Sequence, residues 1–104
     1  MISDQRAIAA AWQLSADGDQ RLARASTAHV AACHDIDQAL LHLLGERRQV
    51  VRWLRRPQPP LYHGRPLDII LATPAGAHQI RRLLLAELAA RDPGDGIVAA
   101  ALAR

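Results

Sequence analysis

Residues 64–88 read GRPLDIILATPAGAHQIRRLLLAEL and contain two helix starts that proline marks. Pro66 suits the first position of a helix, where no amide donor is needed. Thr73 and Pro74 repeat this arrangement, with a threonine that can cap the second helix. Beyond them, apolar residues recur every three or four positions, which is the spacing of one helix face. The stretch therefore predicts a short helix from Pro66 and a longer helix from Pro74 to about Arg91.

The same signals predict further helices upstream. Helix N-caps are expected at Ser3, at Ser15, and at either Ser26 or Thr27. Residues 29–56 contain no proline, and apolar residues recur there at helical spacing with an interruption at Gly45. Gly45 predicts a break or a soft point, and Pro57 predicts the end of that helix. The prolines between residues 57 and 66 predict a stiff loop.

The composition favours helices over a sheet. Half of the 104 residues are hydrophobic, yet the aromatic ones are only Trp12, Trp53 and Tyr62. Alanine, which has the best helix propensity, must therefore fill much of the core beside the aliphatic residues. Apolar and polar positions never alternate for five residues, so no strand is predicted. We expect an all-α fold, a compact bundle of five or six helices in which Trp53 and Leu54 pack in the core.

Charge is distributed unevenly along the chain, whose formal net charge is +3. Residues 1–44 carry three arginines against five aspartates, a net of −2, whereas residues 45–104 have a net of +5. All the basic residues are arginine, as codon bias in a GC-rich genome would produce, so the high pI alone does not indicate nucleic-acid binding. The arginines before Pro57 form a possible basic patch, which consists of Arg48, Arg52, Arg55 and Arg56. Such a patch would bind phosphates or an acidic protein surface, or it would be only the solvated face of a helix.

Cysteine usage and hydropathy bear on the compartment. Cys33 has no second cysteine to pair with, which fits a reducing cytoplasm. The first twenty residues lack the basic start and apolar run of a secretory signal. Eighteen consecutive apolar residues occur nowhere, so no membrane span is predicted. We expect a cytoplasmic protein that does not enter a membrane.

No group of residues predicts a metal site, a cofactor or catalysis. His29 and Cys33 would share a helix face, but zinc needs three or four ligands, and the neighbouring His34 points about 100° away on an ideal helix. The expectation is instead a half-buried cysteine and surface histidines. A Gly-x-Ser-x-Gly elbow and a glycine-rich phosphate loop are both missing. The chain is therefore predicted to be non-enzymatic, without a cofactor or a bound metal.

An ordered set of uncommon residues is more specific than these patterns. It comprises Val51-Arg-Trp-Leu-Arg-Arg-Pro57, Leu61, Gly64-Arg-Pro-Leu-Asp-Ile-Ile-Leu-Ala-Thr73, Gly76 and the helix from Ile80 to Leu88. Over about residues 46–92 this set resembles the toxin-binding domain of Xre/MbcA/ParS-like antitoxins. Upstream, Ala11-Trp-Gln-Leu-Ser15 is similar to the opening of the helix-turn-helix half of many members. The segment after Ser26 is shorter than in those members and carries acidic residues instead of basic and aromatic ones.

The resemblance implies a division of the chain and a function. Residues 1–45 would form a shortened helix-turn-helix-like region, and residues 46–104 the toxin-binding domain. The family implies an antitoxin of a type II toxin-antitoxin system that sterically blocks the NAD-binding active site of a RES-domain toxin. Antitoxin homodimers can hold two such toxins and often repress their own operon. The alternative, a DNA-binding repressor of helix-turn-helix type, is opposed by the negative charge of residues 1–44.

The toxin-facing surface is predicted in two places. The stiff loop and the helix start after it would lose little entropy on binding, and its apolar residues would act as exposed anchors. The apolar tail after Gly96 would pack against the partner, or fold back on the chain's own core. The predicted toxin-binding residues are Leu61, Tyr62, Gly64, Arg65, Pro66, Leu67, Asp68, Ile97 and Val98.

Overall fold

Six α-helices make up most of the described chain. The computed structural model describes residues 4–58, 61 and 64–91. The helices are α1 (Asp4–Ala11), α2 (Ala16–Ala23), α3 (Thr27–Leu44), α4 (Arg47–Arg55), α5 (Pro66–Ala72) and α6 (Pro74–Arg91). Within these residues there is no strand, and an isolated bridge joins Gln58 to Gly64. The predicted all-α bundle of five or six helices is confirmed.

Side-chain caps start three of the helices where the sequence predicts them. The hydroxyl groups of Ser15, Ser26 and Thr73 accept from the amide three residues later, at 3.3, 3.1 and 2.9 Å. Pro66 is the first residue of α5. These four predictions are confirmed. They could be made from the sequence because each helix start depends on bonds within one turn of the chain. Ser3, the remaining predicted cap, lies outside the described residues.

Gly45 separates α3 from α4 completely. Its φ of +86° is left-handed, and its amide donates to Leu41 O at 2.8 Å, which closes the last turn of α3. The glycine is therefore a break, the stronger of the two outcomes that the pattern allowed. The next helix ends at Arg55, just before Pro57, as predicted.

The longest helices, α3 and α6, pack against each other and run in the same direction. Arg81 Nε donates to Asp35 Oδ2 at 2.8 Å, and further along both helices Arg91 Nη1 donates to Leu43 O at 3.4 Å. The chain between them returns through α4, the loop and α5, which also contact this pair. Each large aliphatic side chain buried in this core contributes roughly 2 kcal/mol. The fully buried ones are Ile8, Leu22, Ile36, Leu40, Val50, Leu54, Ile70 and Ile80.

The contact between α5 and α6 depends on a glycine. A Cβ atom built on Gly76 would lie 2.3 Å from the backbone oxygen of Ile69, far inside van der Waals contact. A hydrogen atom at this position lets the first turn of α6 approach the backbone of α5. Gly76, which stands in the recognised set of uncommon residues, is thus explained by packing within the chain.

A buried polar cluster ties α1, α3 and α4 together. The indole of Trp12, fully buried, donates from Nε1 to Asp37 Oδ1 at 2.8 Å. Arg47 donates to both oxygens of the same carboxylate, at 3.2 Å for Oδ2. The buried charge of Asp37 is therefore paired and hydrogen-bonded, as a buried carboxylate must be. The predicted division into residues 1–45 and 46–104 stays a prediction, and this cluster joins residues from both sides of it.

The buried part of α3 departs from what the sequence indicates for His29 and Cys33. His29 is 5% exposed, and its Nε2 lies 2.6 Å from Ile70 O, so this nitrogen carries the proton and donates to the carbonyl. Cys33 is fully buried, and that burial raises the pKa of its thiol to about 12. The expectation of a surface histidine at 29 and a half-buried cysteine is wrong, because α5 and α6 cover this face of α3.

Candidate functional site

The loop between α4 and α5 is closed by its own backbone. Gln58 donates its amide to Gly64 O at 3.1 Å, Leu61 donates to Gln58 O at 3.0 Å, and Gly64 donates to Leu61 O at 2.9 Å. Leu61 is 7% exposed and belongs to the hydrophobic core. The expectation that Leu61 is an exposed anchor is therefore wrong: its side chain holds the loop down from the inside.

The start of α5 presents an exposed ion pair above a buried apolar turn. Pro66 and Leu67 are buried. Arg65 donates from Nε and Nη2 to the two carboxylate oxygens of Asp68, both at 2.9 Å. The hydrogen bond from Arg65 holds the pKa of Asp68 below its usual range, and the same bond raises the pKa of Arg65. Of the residues predicted to bind the toxin, Arg65 and Asp68 are the ones whose charged groups face solvent, with the half-buried Gly64 beside them.

A groove of about 380 Å³ joins this ion pair to the end of α1 and the start of α2. Its arginines already have partners within the chain. Arg21 pairs with Asp17 at 3.1 Å. Arg55 donates from Nη2 to two backbone oxygens at the end of α1, both at 2.9 Å. Because Arg65 is paired as well, the groove carries little free positive charge.

The predicted basic patch divides into two parts. Arg48, Arg52 and Arg56 are exposed along α4, as the helical spacing indicates. Arg55 is half-buried and bonds to the turn that follows α1, so it does not contribute to that surface. Within the described residues, Arg52 and Arg56 have no carboxylate partner, whereas Arg48 lies 3.8 Å from Glu46. The free charge of this region is therefore concentrated at the end of α4.

A partly apolar surface lies beside these two arginines, around Trp53. The sequence predicts both Trp53 and Leu54 in the core, and Leu54 is fully buried, but Trp53 is half-buried. Two adjoining hollows, of about 220 and 190 Å³, meet at Trp53. Leu83 of α6 lines the first hollow and is 37% exposed. Sequence reasoning assigned Arg52 and Arg56 to a basic patch and Trp53 to the core, and did not combine the three into one surface. The signal available for it was the spacing of two arginines one turn apart beside a tryptophan.

Several predicted contacts fall outside the described residues, namely Tyr62, Ile97 and Val98. Among the residues that the structure does describe, no three histidine, cysteine or acidic side chains come together as a metal site. None of the helices in that part of the chain has the length and hydropathy that crossing a membrane requires.

Residues 39–88 match the family model of the antitoxin Xre/MbcA/ParS C-terminal toxin-binding domain. No curated protein and no solved structure is significantly similar to the chain. The matched segment begins inside α3 and reaches almost to the end of α6, so it includes the closed loop, the start of α5 and the surface around Trp53. Residues 39–88 therefore form a toxin-binding domain of the Xre/MbcA/ParS antitoxin type.

Proposed function

We propose that the chain is the antitoxin of a type II toxin-antitoxin system and neutralises a RES-domain toxin by covering its NAD-binding active site. The observation that carries the proposal is the family match over residues 39–88. The chain contributes surface and no chemistry: its cysteine is buried, and the high pKa of Cys33 keeps that thiol protonated. Neutralisation is therefore steric, and its strength is the affinity of the two proteins.

The closed loop and the start of α5 form one part of the proposed contact. Arg65 and Asp68 are exposed at its edge. Leu61, Pro66 and Leu67 support this edge from the core, so it is ordered before a partner arrives. Pre-ordering lowers the entropy that association costs. Tyr62 and the tail residues Ile97 and Val98 remain part of this proposal on the grounds of sequence alone.

The proposal extends to the assembly and the compartment. A homodimer within a larger toxin-antitoxin complex would let each antitoxin hold one toxin. The lone buried cysteine suits the reducing cytoplasm, where a RES-domain toxin would find its NAD.

The test pairs the chain with the RES-domain toxin that this proposal expects in the adjacent gene. The two proteins are expressed separately, and NAD consumption by the toxin is followed as the antitoxin is titrated in. We expect NAD consumption to stop near a fixed molar ratio, and the two proteins to elute together from a sizing column. A toxin that consumes NAD at the same rate with a large excess of the antitoxin would refute the proposal.

A further inference from the structure

We propose that the toxin docks on the surface around Trp53 through an apolar segment flanked by carboxylates; this inference rests on the proposed function. The surface, which we name the Trp53 face, consists of Leu43, Leu44, Arg52, Trp53, Arg56 and Leu83. All six residues lie within the segment 39–88 that matches the toxin-binding domain.

The shape and polarity of the Trp53 face suit a protein partner. Its two hollows adjoin along the side chains of Leu44 and Trp53, so the indole stands between them. Trp53 is half-buried against the core, which fixes the ring while leaving part of its surface open. An immobilised tryptophan in a hollow is the kind of side chain that dominates protein interfaces. Leu83 extends the apolar area onto α6.

Charge identifies the class of partner. Arg52 and Arg56 stand exposed at one margin of the face, and no carboxylate of the described chain pairs with either. At the opposite margin Arg91 lies 3.7 Å from Glu87, a neutral pair. A second copy of the chain would bring the same unpaired arginines towards each other, which opposes self-association through this face. Carboxylates that flank an apolar segment of the toxin would complement the two arginines.

The other large hollows are less suited to the toxin. The one beside α1 and the start of α2, of about 550 Å³, lies wholly outside the matched domain. The hollow between α3 and α6, of about 510 Å³, has its arginine already bonded to Asp35. The three arginines of the groove beside Arg65 are already bonded within the chain, and more than half of its lining comes from residues 13–21, outside the matched domain. The Trp53 face combines an open apolar area, unpaired charge and a position wholly inside the toxin-binding domain.

The apolar half of the proposal is tested with two exposed leucines of α6. Leu83→Asp places a charge in the Trp53 face, and Leu85→Asp places the same charge in the hollow beside Asp35. The two side chains are 37% and 43% exposed, so both variants should keep the fold. The dissociation constant for the toxin encoded beside this chain is measured by biolayer interferometry. We expect Leu83→Asp to weaken binding at least about 30-fold and Leu85→Asp to stay within about threefold of the parent.

The charged half is tested with two double variants of equal net charge. Arg52→Glu with Arg56→Glu reverses the margin of the face, whereas Arg24→Glu with Arg82→Glu reverses exposed arginines elsewhere. At about 0.05 M NaCl, where screening is weak, the first pair should slow association about tenfold relative to the second. Raising the salt to about 0.3 M should slow the parent and the control pair, whose attraction it screens, but should speed the first pair, because there it screens a repulsion between carboxylates.

The outcomes separate this inference from the proposed function. If the parent does not bind the toxin, the proposed function and this inference are both refuted. If the parent binds and the Leu83 and Arg52/Arg56 variants bind equally well, the toxin docks elsewhere and only this inference is overturned. A parent that is dimeric in solution and becomes monomeric on Leu83→Asp would assign the face to a second copy. The last alternative is tested by removing residues 92–104. If that removal tightens toxin binding in the parent but not in Leu83→Asp, the Trp53 face is covered by the chain's own tail.

Discussion

Replacing Gly76 by alanine should destabilise the protein although alanine is the better helix former. The new Cβ would lie 2.3 Å from the backbone oxygen of Ile69, so α5 and α6 must move apart by about 1 Å to restore van der Waals contact. Overpacking of this kind costs up to about 3 kcal/mol, and the gain in helix propensity offsets about 1 kcal/mol. We expect the free energy of unfolding to fall by about 2 kcal/mol and the melting temperature by about 10 °C.

Gly18 is the matched control, because it is also a buried glycine inside a helix. A Cβ built on Gly18 meets Leu14 Cβ at 3.4 Å and Leu71 Cδ1 at 3.6 Å, both ordinary contacts. Gly18→Ala should therefore raise the free energy of unfolding by about 0.5 to 1 kcal/mol. Urea denaturation followed by far-UV circular dichroism measures both variants. A Gly76→Ala protein as stable as the parent would mean that α5 and α6 are not in close contact, and the account of their packing would be wrong.

Four further predictions concern the core, the exposed ion pair and DNA. Asp37→Ala leaves the buried indole of Trp12 without an acceptor and Arg47 without its partner. The free energy of unfolding, measured by urea denaturation, should therefore fall by about 3 kcal/mol. A loss under about 1 kcal/mol would contradict the role of the cluster. The pKa of Asp68 is lower in the folded chain than the ordinary aspartate value of about 4. Its ion pair with Arg65 therefore stabilises the fold at pH values above that ordinary pKa, and the stabilisation is lost as the pH falls through the lowered pKa. Asp68→Asn should therefore be slightly less stable than the parent at neutral pH and equal to it in acid; a difference that grows in acid would reverse the assigned sign. Cys33 should react with a thiol reagent at neutral pH only in denaturant, whereas fast labelling of the native chain would disprove its burial. The chain without its toxin should not retard its own promoter DNA in a gel shift at physiological salt, because residues 1–44 carry a net charge of −2, and specific retardation would show that the N-terminal half binds DNA.

The starts and ends of the helices could be predicted from the sequence because the physics that sets them is local. Ser15 and Ser26 bond to amides three residues away, and Pro57 blocks helix in its own neighbourhood. Gly45 provides a left-handed residue where one is needed. Each of these signals can be seen in a window of a few residues. For the same reason, the count of helices and their order were predictable.

The burial of particular polar and apolar residues could not be predicted, because it depends on partners far along the chain. His29 is buried by Ile70, which lies on α5, and Asp37 is satisfied by Trp12 and Arg47. Leu61 reads as a loop residue in the sequence, yet the backbone bonds of its loop turn it into the core. Periodicity describes one helix face at a time and does not say which other helix covers that face.

The same limit applies to the candidate site. The family residues and their spacing identified the toxin-binding domain, and the helical spacing placed Arg48, Arg52 and Arg56 on one exposed face. The spacing could not show that Arg55 donates hydrogen bonds to the turn after α1, since its acceptors lie more than forty residues earlier in the chain. Nor could it show that Trp53 stays partly open, because that depends on how α4 lies against α3 and α6.

The carboxylate shared by Trp12 and Arg47 has a consequence for how this protein can evolve. Asp37 precedes the segment that matches the family model, and Arg47 lies inside that segment. Suppose that recombination joins a foreign N-terminal half to this toxin-binding domain near residue 39. Arg47 then loses the carboxylate of Asp37 and lies beside an unrelated residue. The side chain of this stranded arginine is 39% exposed and can turn to water. In the reciprocal exchange the buried Asp37 would lose its arginine, and an unpaired buried charge costs several kcal/mol, a large part of the stability of a chain this size. An exchange of N-terminal halves between relatives would therefore keep this stability only if the incoming half supplied its own carboxylate for Arg47.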